Sequence, residues 1–135
     1  MKRALLLVSI LLLLAMASVA WADDIHMVPG PGTPAAVGTV SVDHDHNGNV
    51  ELDVRVHHLA DPGSLDPGKT TYVVWVKPPD RPPEPLGVMK VDKDLNGELK
   101  AKTPYQKFDV FITAENTPRP AQPSGPEVLH ATVSK

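Results

Sequence analysis

The chain contains no cysteine, which excludes disulfides, thiol catalysis and cysteine-ligated metal. Aromatics are scarce, with two tryptophans, two tyrosines and two phenylalanines in 135 residues. No Lys/Arg cluster occurs and the formal net charge is −3, so nothing electrostatic draws the chain to nucleic acid or to an anionic membrane surface. Beyond residue 22 no apolar run is long enough to cross a bilayer. No segment of helical length there repeats its apolar residues every 3.6 positions. Catalytic signatures are missing as well: there is no G-x-S-x-G elbow, no H-E-x-x-H and no phosphate-cradling glycine loop. Asp and Glu residues are spread over turns and polar faces with no spacing that selects a catalytic pair. The expectation is a protein that is not an enzyme.

What is present begins with the first 22 residues. Lys2 and Arg3 precede an apolar run from Ala4 to Ala17, and Ala20-Trp21-Ala22 follows with small residues at both recognition positions. A basic start, an apolar middle and an A-x-A exit define a secretory signal, with cleavage expected after Ala22. The stretch Ala4–Ala22 is also close to bilayer-spanning length, so an uncleaved anchor is the competing reading. Cleavage would leave 113 of the 135 residues, enough for one domain with a single core. Loss of Lys2 and Arg3 would take the net charge from −3 to −5. An extracytoplasmic location, periplasmic or secreted, is expected.

All 15 prolines fall after the leader. Three stretches, Val28–Pro34, Pro78–Pro85 and Thr117–Pro126, hold most of them and should run as surface loops, because proline fixes φ and donates no backbone hydrogen bond. Residues 23–36 read as a Pro/Gly-rich linker, with the folded domain at 37–135. Between the loops the period is two. Val50, Leu52, Val54 and Val56 alternate with Glu51, Asp53, Arg55 and His57, placing valines on one face and charges on the other. Tyr72–Lys77 is apolar on both faces, as in a central strand, and Phe108, Val110 and Ile112 oppose Phe111. Strands are predicted at Thr39–Asp43, Val50–Leu59, Thr70–Lys77, Leu86–Asp92, Gly97–Thr103, Lys107–Glu115 and Glu127–Ser134. Seven short strands predict an all-β, immunoglobulin-like β-sandwich of antiparallel strands. Trp75 is expected to fill its core.

Two turns nearly repeat. Asp43-His44-Asp45-His46-Asn47-Gly48 joins the first two predicted strands, and Asp92-Lys93-Asp94-Leu95-Asn96-Gly97 joins the fourth and fifth. Asn-Gly between alternating strands signals a hairpin whose residues tolerate positive φ, and the pair suggests two hairpins similarly placed, in two facing sheets. The same D-x-D-x-N-G string opens a calcium loop, making Asp43, Asp45, Asn47, Asp92, Asp94 and Asn96 candidate ligands. The closing bidentate glutamate is replaced by Val54 and Thr103, so hydrogen bonding of the turn backbone by the aspartates is the alternative. His44 and His46 on the first turn, and His26 beside Met27, are candidate ligands for copper. His57 and His58 point to opposite faces if both are in strand.

One wider pattern connects these segments. Val37-Gly38-Thr39-Val40, a polar hairpin, Val50–Leu59 and Tyr72-Val-Val-Trp75-Val come first. Pro85-Leu86-Gly87-Val88, Asp92–Gly97, Phe108–Glu115 and Pro123-Ser-Gly125-Pro126 follow before the last strand. The series resembles the extracytoplasmic domain of anti-sigma-K-type factors over about Val37 to Val133. The resemblance implies a β-sandwich that senses or contacts another protein, without catalytic residues. In this sequence a signal stands where such factors carry a sigma-binding helical segment and a membrane span, so fold and contact role, not sigma binding, are what the likeness implies. The expected function is a non-catalytic exported binding or sensory module, acting on an envelope protein or a small ligand without a cofactor. The alternative is a periplasmic protein that binds copper or calcium.

Overall fold

The structure, a computed structural model, describes residues 23–65 and 68–134. The expected signal peptide and its cleavage motif lie outside the described residues. Nine strands run in chain order: β1 (Asp23–His26), β2 (Val28–Pro29), β3 (Val37–His44), β4 (Val50–His57), β5 (Thr71–Lys77), β6 (Glu84–Val91), β7 (Gly97–Thr103), β8 (Lys107–Glu115) and β9 (Glu127–Ser134). One 3-10 turn, Pro62–Ser64, precedes β5. No α-helix occurs among the described residues, and none of their helices is long and apolar enough to cross a membrane.

The strands form one antiparallel sheet in the order β1-β3-β4-β7-β6-β5-β8-β9-β2, nearly closed into a barrel. Strands β5, β6 and β7 are consecutive neighbours, and β8 returns to lie beside β5, which is a Greek key. Strand β6 belongs to both halves of the sheet: residues between Glu84 and Met89 pair with β5, and Lys90–Val91 pair with β7. A bulge opposite Val74/Trp75 leaves Leu86 unmatched and bends the strand.

The seven strands read from the alternation are present, the last three with the expected bounds and the other four with ends shifted by at most two residues. The two additional strands lie in the stretch expected to be a linker. Asp23–His26 pairs with β3, and Val28–Pro29 pairs with His130 and Leu129 of β9. Met27 sits between them, 6% exposed, with its N–H donated to Gly38 O. These strands are too short to show a period; the edges of β3 and β9 supply their partners.

Alternation decides what is buried. Val40, Val42, Val50, Leu52, Val54 and Val56 face Tyr72, Val74, Val76, Phe108, Val110 and Ile112 across a single main core. Each fully buried valine contributes about 1.5–3 kcal/mol relative to exposure. Tyr72 donates its hydroxyl to Ala60 O at 2.7 Å, and burial, with Asp61 nearby, pushes its phenol up to about 12. Trp75 is completely buried but lies outside that core. With Val73 and Phe111 it forms a second, smaller cluster on the opposite face of β5 and β8, its ring 6.4 Å from that of Phe111. Both faces of β5 are apolar, so its alternation could not say which one meets the larger core.

Candidate functional site

The charges that alternate with the core valines all emerge on one face, formed by β1, β3, β4 and β7. Cross-strand register sets them in rows. Asp24, Ser41, Asp53 and Lys100 make one row, and Asp43, Glu51 and Lys102 the next. Thr39, Arg55 and Glu98 make a third. Ion pairs knit the rows: Arg55 Nη2 is 2.9 Å from Asp53 Oδ2, and Lys102 Nζ is 3.0 Å from Glu51 Oε1. Ser41 donates to Asp24 at 2.6 Å. A shallow depression of about 490 Å³ opens over Asp43, Glu51, Asp53, Lys100 and Lys102. On its floor Asp53 Oδ1 is shielded from solvent and has no hydrogen-bond partner. Partly solvated pairs of this kind add little stability, but they hold charges of both signs at fixed spacing on a rigid sheet.

The two turns lie at opposite ends of this face. The first leads into Val50, which pairs with Thr103, and the second into Gly97, which pairs with Val56. Six strand steps separate them, roughly 20 Å. Both therefore belong to the same half of the sheet and not to two facing sheets, and their side chains serve no common ion.

The turns are alike, but in a register offset from the sequence repeat. In the first, Asp45 Oδ1 accepts from Asn47 N and Asn49 N, at 2.8 and 2.9 Å. In the second it is Asp92 Oδ1 that accepts, from Asp94 N and Asn96 N, at 2.9 and 3.0 Å. Backbone bonds agree: Gly48 N donates to Asp45 O and Leu95 N to Asp92 O. Asp45 thus corresponds to Asp92, two positions away from the match of Asp43 with Asp92. Each is a turn closed by a residue in the left-handed region, Gly48 at φ 81° and Leu95 at φ 63°, the three-residue hairpin loop with a bulge. Of the two Asn-Gly pairs, only Gly48 has the positive φ expected. Gly97 is glycine for another reason, since a Cβ there would lie 2.5 Å from Met89 Sδ and 3.2 Å from Leu59 Cδ1.

Of the candidate calcium ligands, these bonds engage the carboxylates of Asp45 and Asp92, whereas Asn47, Asp94 and Asn96 take part through their backbone N–H groups. The side-chain amide of Asn49, bonded to Asp45 Oδ2 at 3.1 Å, is the main influence holding the Asp45 carboxyl below its ordinary value. Desolvation opposes it, and the amides of Asn49 and Asn47 and Lys102 assist. Asp43 turns instead to the amide of His44. The His44 ring meets Gln106 Oε1 at 3.2 Å, and Gln106 donates to Gly48 O, which braces the turn against the segment before β8. His46 is exposed in the turn and His26 exposed on β1. His57 Nδ1 lies 2.9 Å from Asn96 Oδ1. Strand β4 ends at His57, and His58 adopts φ 58°, so these two do not face opposite ways along a strand. Among the described residues no group of three or more His, Asp or Glu side chains converges as metal ligands.

One polar constellation had no sequence motif. Glu115, 1% exposed, ends β8 on the Trp75 face. Trp75 Nε1 donates to Thr113 Oγ1 at 2.8 Å, and Thr113 in turn donates to Glu115 Oε2. The same carboxylate accepts from the backbone N–H and hydroxyl of Ser124 and from Gly125 N. The only sequence signal was an acid closing the mostly apolar stretch Phe108–Ala114, with Ser-Gly in the loop that follows. Comparison of the chain with protein-family models, curated proteins and solved structures finds no match.

Proposed function

We propose that the chain is a non-catalytic, exported module that contacts another envelope protein through the charged face of β1, β3, β4 and β7. The observation that carries this reading is the register-locked ladder of opposite charges around Asp53. Fixed charges of both signs select a partner with the complementary pattern and set the register of docking more than they add affinity. The carboxylates on β1, β3 and β4 lie beside the cations Arg55, Lys100 and Lys102, an arrangement better suited to matching a surface than to exchanging protons. In this reading the two halves of the sheet, linked through β6, pack as an immunoglobulin-like sandwich. The module is then a stand-alone counterpart of the extracytoplasmic domain of anti-sigma-K-type factors. The amino-terminal leader, cleaved after Ala22, delivers it across the inner membrane.

The test is an affinity capture from the envelope fraction with the wild-type chain and with a charge-reversed Glu51→Lys/Lys102→Glu pair. A partner held by the wild type at low salt, weakened as salt screens the face, and lost with the reversed pair is expected. Equal capture by both proteins refutes the assignment of this face. Amino-terminal sequencing of the envelope protein should begin at Asp23, and a full-length membrane-bound product refutes cleavage.

A further inference from the structure

The loop from Asn116 to Pro126 is proline-rich and largely exposed, yet one end of it is fastened to the sheet by one side chain beside one backbone bond. The Glu115 carboxylate spans the gap, with Oε1 2.6 Å from Ser124 Oγ and Oε2 3.1 Å from Gly125 N. Backbone meets backbone at the same place. Ala114 N donates to Pro126 O at 3.1 Å, and a Cβ on Gly125 would overlap Ala114 O. Phe111, Thr113 and Glu115 alternate onto one face of β8, so the fastened loop lies on the Trp75 side of the sheet and not on the main core.

We propose that Glu115 is an acid-released latch: as a carboxylate it clamps Ser124 and Gly125 and keeps the loop closed, and once protonated it lets the loop leave while the sheet stays folded. The donors explain the dependence on ionisation. A carboxylate only accepts, and both backbone amides in the cluster only donate. A proton on Glu115 removes the charge that strengthens these bonds and sets a donor beside two backbone amides that cannot accept it. Thr113 already accepts the Trp75 N–H, so the change is transmitted to the indole.

Among the described residues no charged side chain is bonded to the Glu115 carboxylate. Titratable residues on the surrounding segments are Asp61 and Lys69 before β5, Arg119 in the loop, and Glu127 and His130 on β9. His130 pairs with Glu127 at 3.3 Å, and none of the others bonds to Glu115. Burial favours the neutral acid, but the hydrogen bonds from Ser124, Thr113 and Gly125 outweigh it and hold the carboxyl below its ordinary value of 4.5. The folded-state value is therefore the lower one. The latch is fully engaged above the unfolded value and is lost as pH falls through the folded one.

Hydrogen exchange of the full-length chain, measured as protection factors from pH 7 to pH 3, tests this directly. Protection at Ser124 and Gly125 is expected to fall about tenfold or more in acid while amides in β5 and β8 keep theirs, as local opening requires. Glu115→Gln should show the open-loop pattern already at neutral pH, without further change in acid. If that variant does not fold, Ser124→Ala supplies the reading, because deleting one donor should move the opening to higher pH. In a Trp21→Phe background, Trp75 emission should follow the same transition. Protection at Ser124 and Gly125 that persists until the whole sheet unfolds overturns the proposal. So does a folded Glu115→Gln protein with wild-type protection there, or a Ser124→Ala protein with an unshifted transition.

Discussion

Replacing Gly97 with alanine places a methyl 2.5 Å from Met89 Sδ and 2.8 Å from Met89 Cγ, where Leu59 Cδ1 is already 3.2 Å away. Ordinary carbon contacts lie near 3.5–4.0 Å, so Met89 must retreat by roughly 1 Å. Methionine is flexible, but Met89 is only 2% exposed and has packed neighbours behind it. Overpacking of this kind costs about 1–3 kcal/mol. Met89→Ala alone should cost about 2–5 kcal/mol through the cavity it leaves. In the double variant the new methyl enters that cavity, so the two losses should fall short of their sum by about 1–2 kcal/mol. Gly48→Ala is the control: the position has φ +81° and nothing within 4 Å of the added carbon. It should cost about 1 kcal/mol from conformation alone and add to Met89→Ala within about 0.5 kcal/mol. Urea denaturation of the four Gly97/Met89 proteins, with the Gly48 pair alongside, measures both couplings. Additivity at Gly97 would show that contact with Met89 is not what requires glycine there.

Trp75→Ala should destabilise by about 3–5 kcal/mol, and Trp75→Phe by less, with Thr113 left without its indole donor; chemical denaturation ranks the two, and a loss under about 1 kcal/mol for alanine would contradict burial. Asp45→Ala and Asp92→Ala should lower the thermal midpoint, whereas Asp43→Ala, which loses only a bond to the next amide, should leave it nearly unchanged; equal effects of Asp43 and Asp45 would refute the offset register. Excess calcium, compared with chelator, should not move the midpoint, since a ligand that binds the folded state at a thousandfold excess over its Kd would add about 4 kcal/mol. Glu115→Gln should flatten the loss of stability in acid below the ordinary value of 4.5, read from denaturation midpoints across pH.

Strand identity was legible wherever one face is buried and the other polar. Val50–His57 shows this best, because its period-two pattern is the imprint of the core on one side and the charge ladder on the other. Three features resisted for physical reasons. Asp23–His26 is polar and four residues long, and its place depends on an edge presented by residues far along the chain. Which aspartate organises each turn depends on where the chain reverses, and a string with acids at alternate positions fits two registers equally well. Glu115 looks like any acid at a strand end. Its burial follows from Ser124 and Gly125 folding back over it, a contact between loop and strand that leaves no periodic trace. The charged residues of the candidate face were individually visible, but their rows required the pairing of β4 with β7.

The segment from Asp23 to Pro29 has a consequence for how the molecule is made. It lies along β3 on one side of Met27 and along β9 on the other, so one short stretch caps both ends of the sheet order. During synthesis it leaves the ribosome before the other described strands, yet Val28 finds His130 only once β9 has emerged. Until then the outer edge of β9, or of β8 before it, is unpaired, and unpaired strand edges are where chains recruit one another. A partner that occupied this first segment early would delay closure, and one that released it late would set the moment at which both edges disappear together.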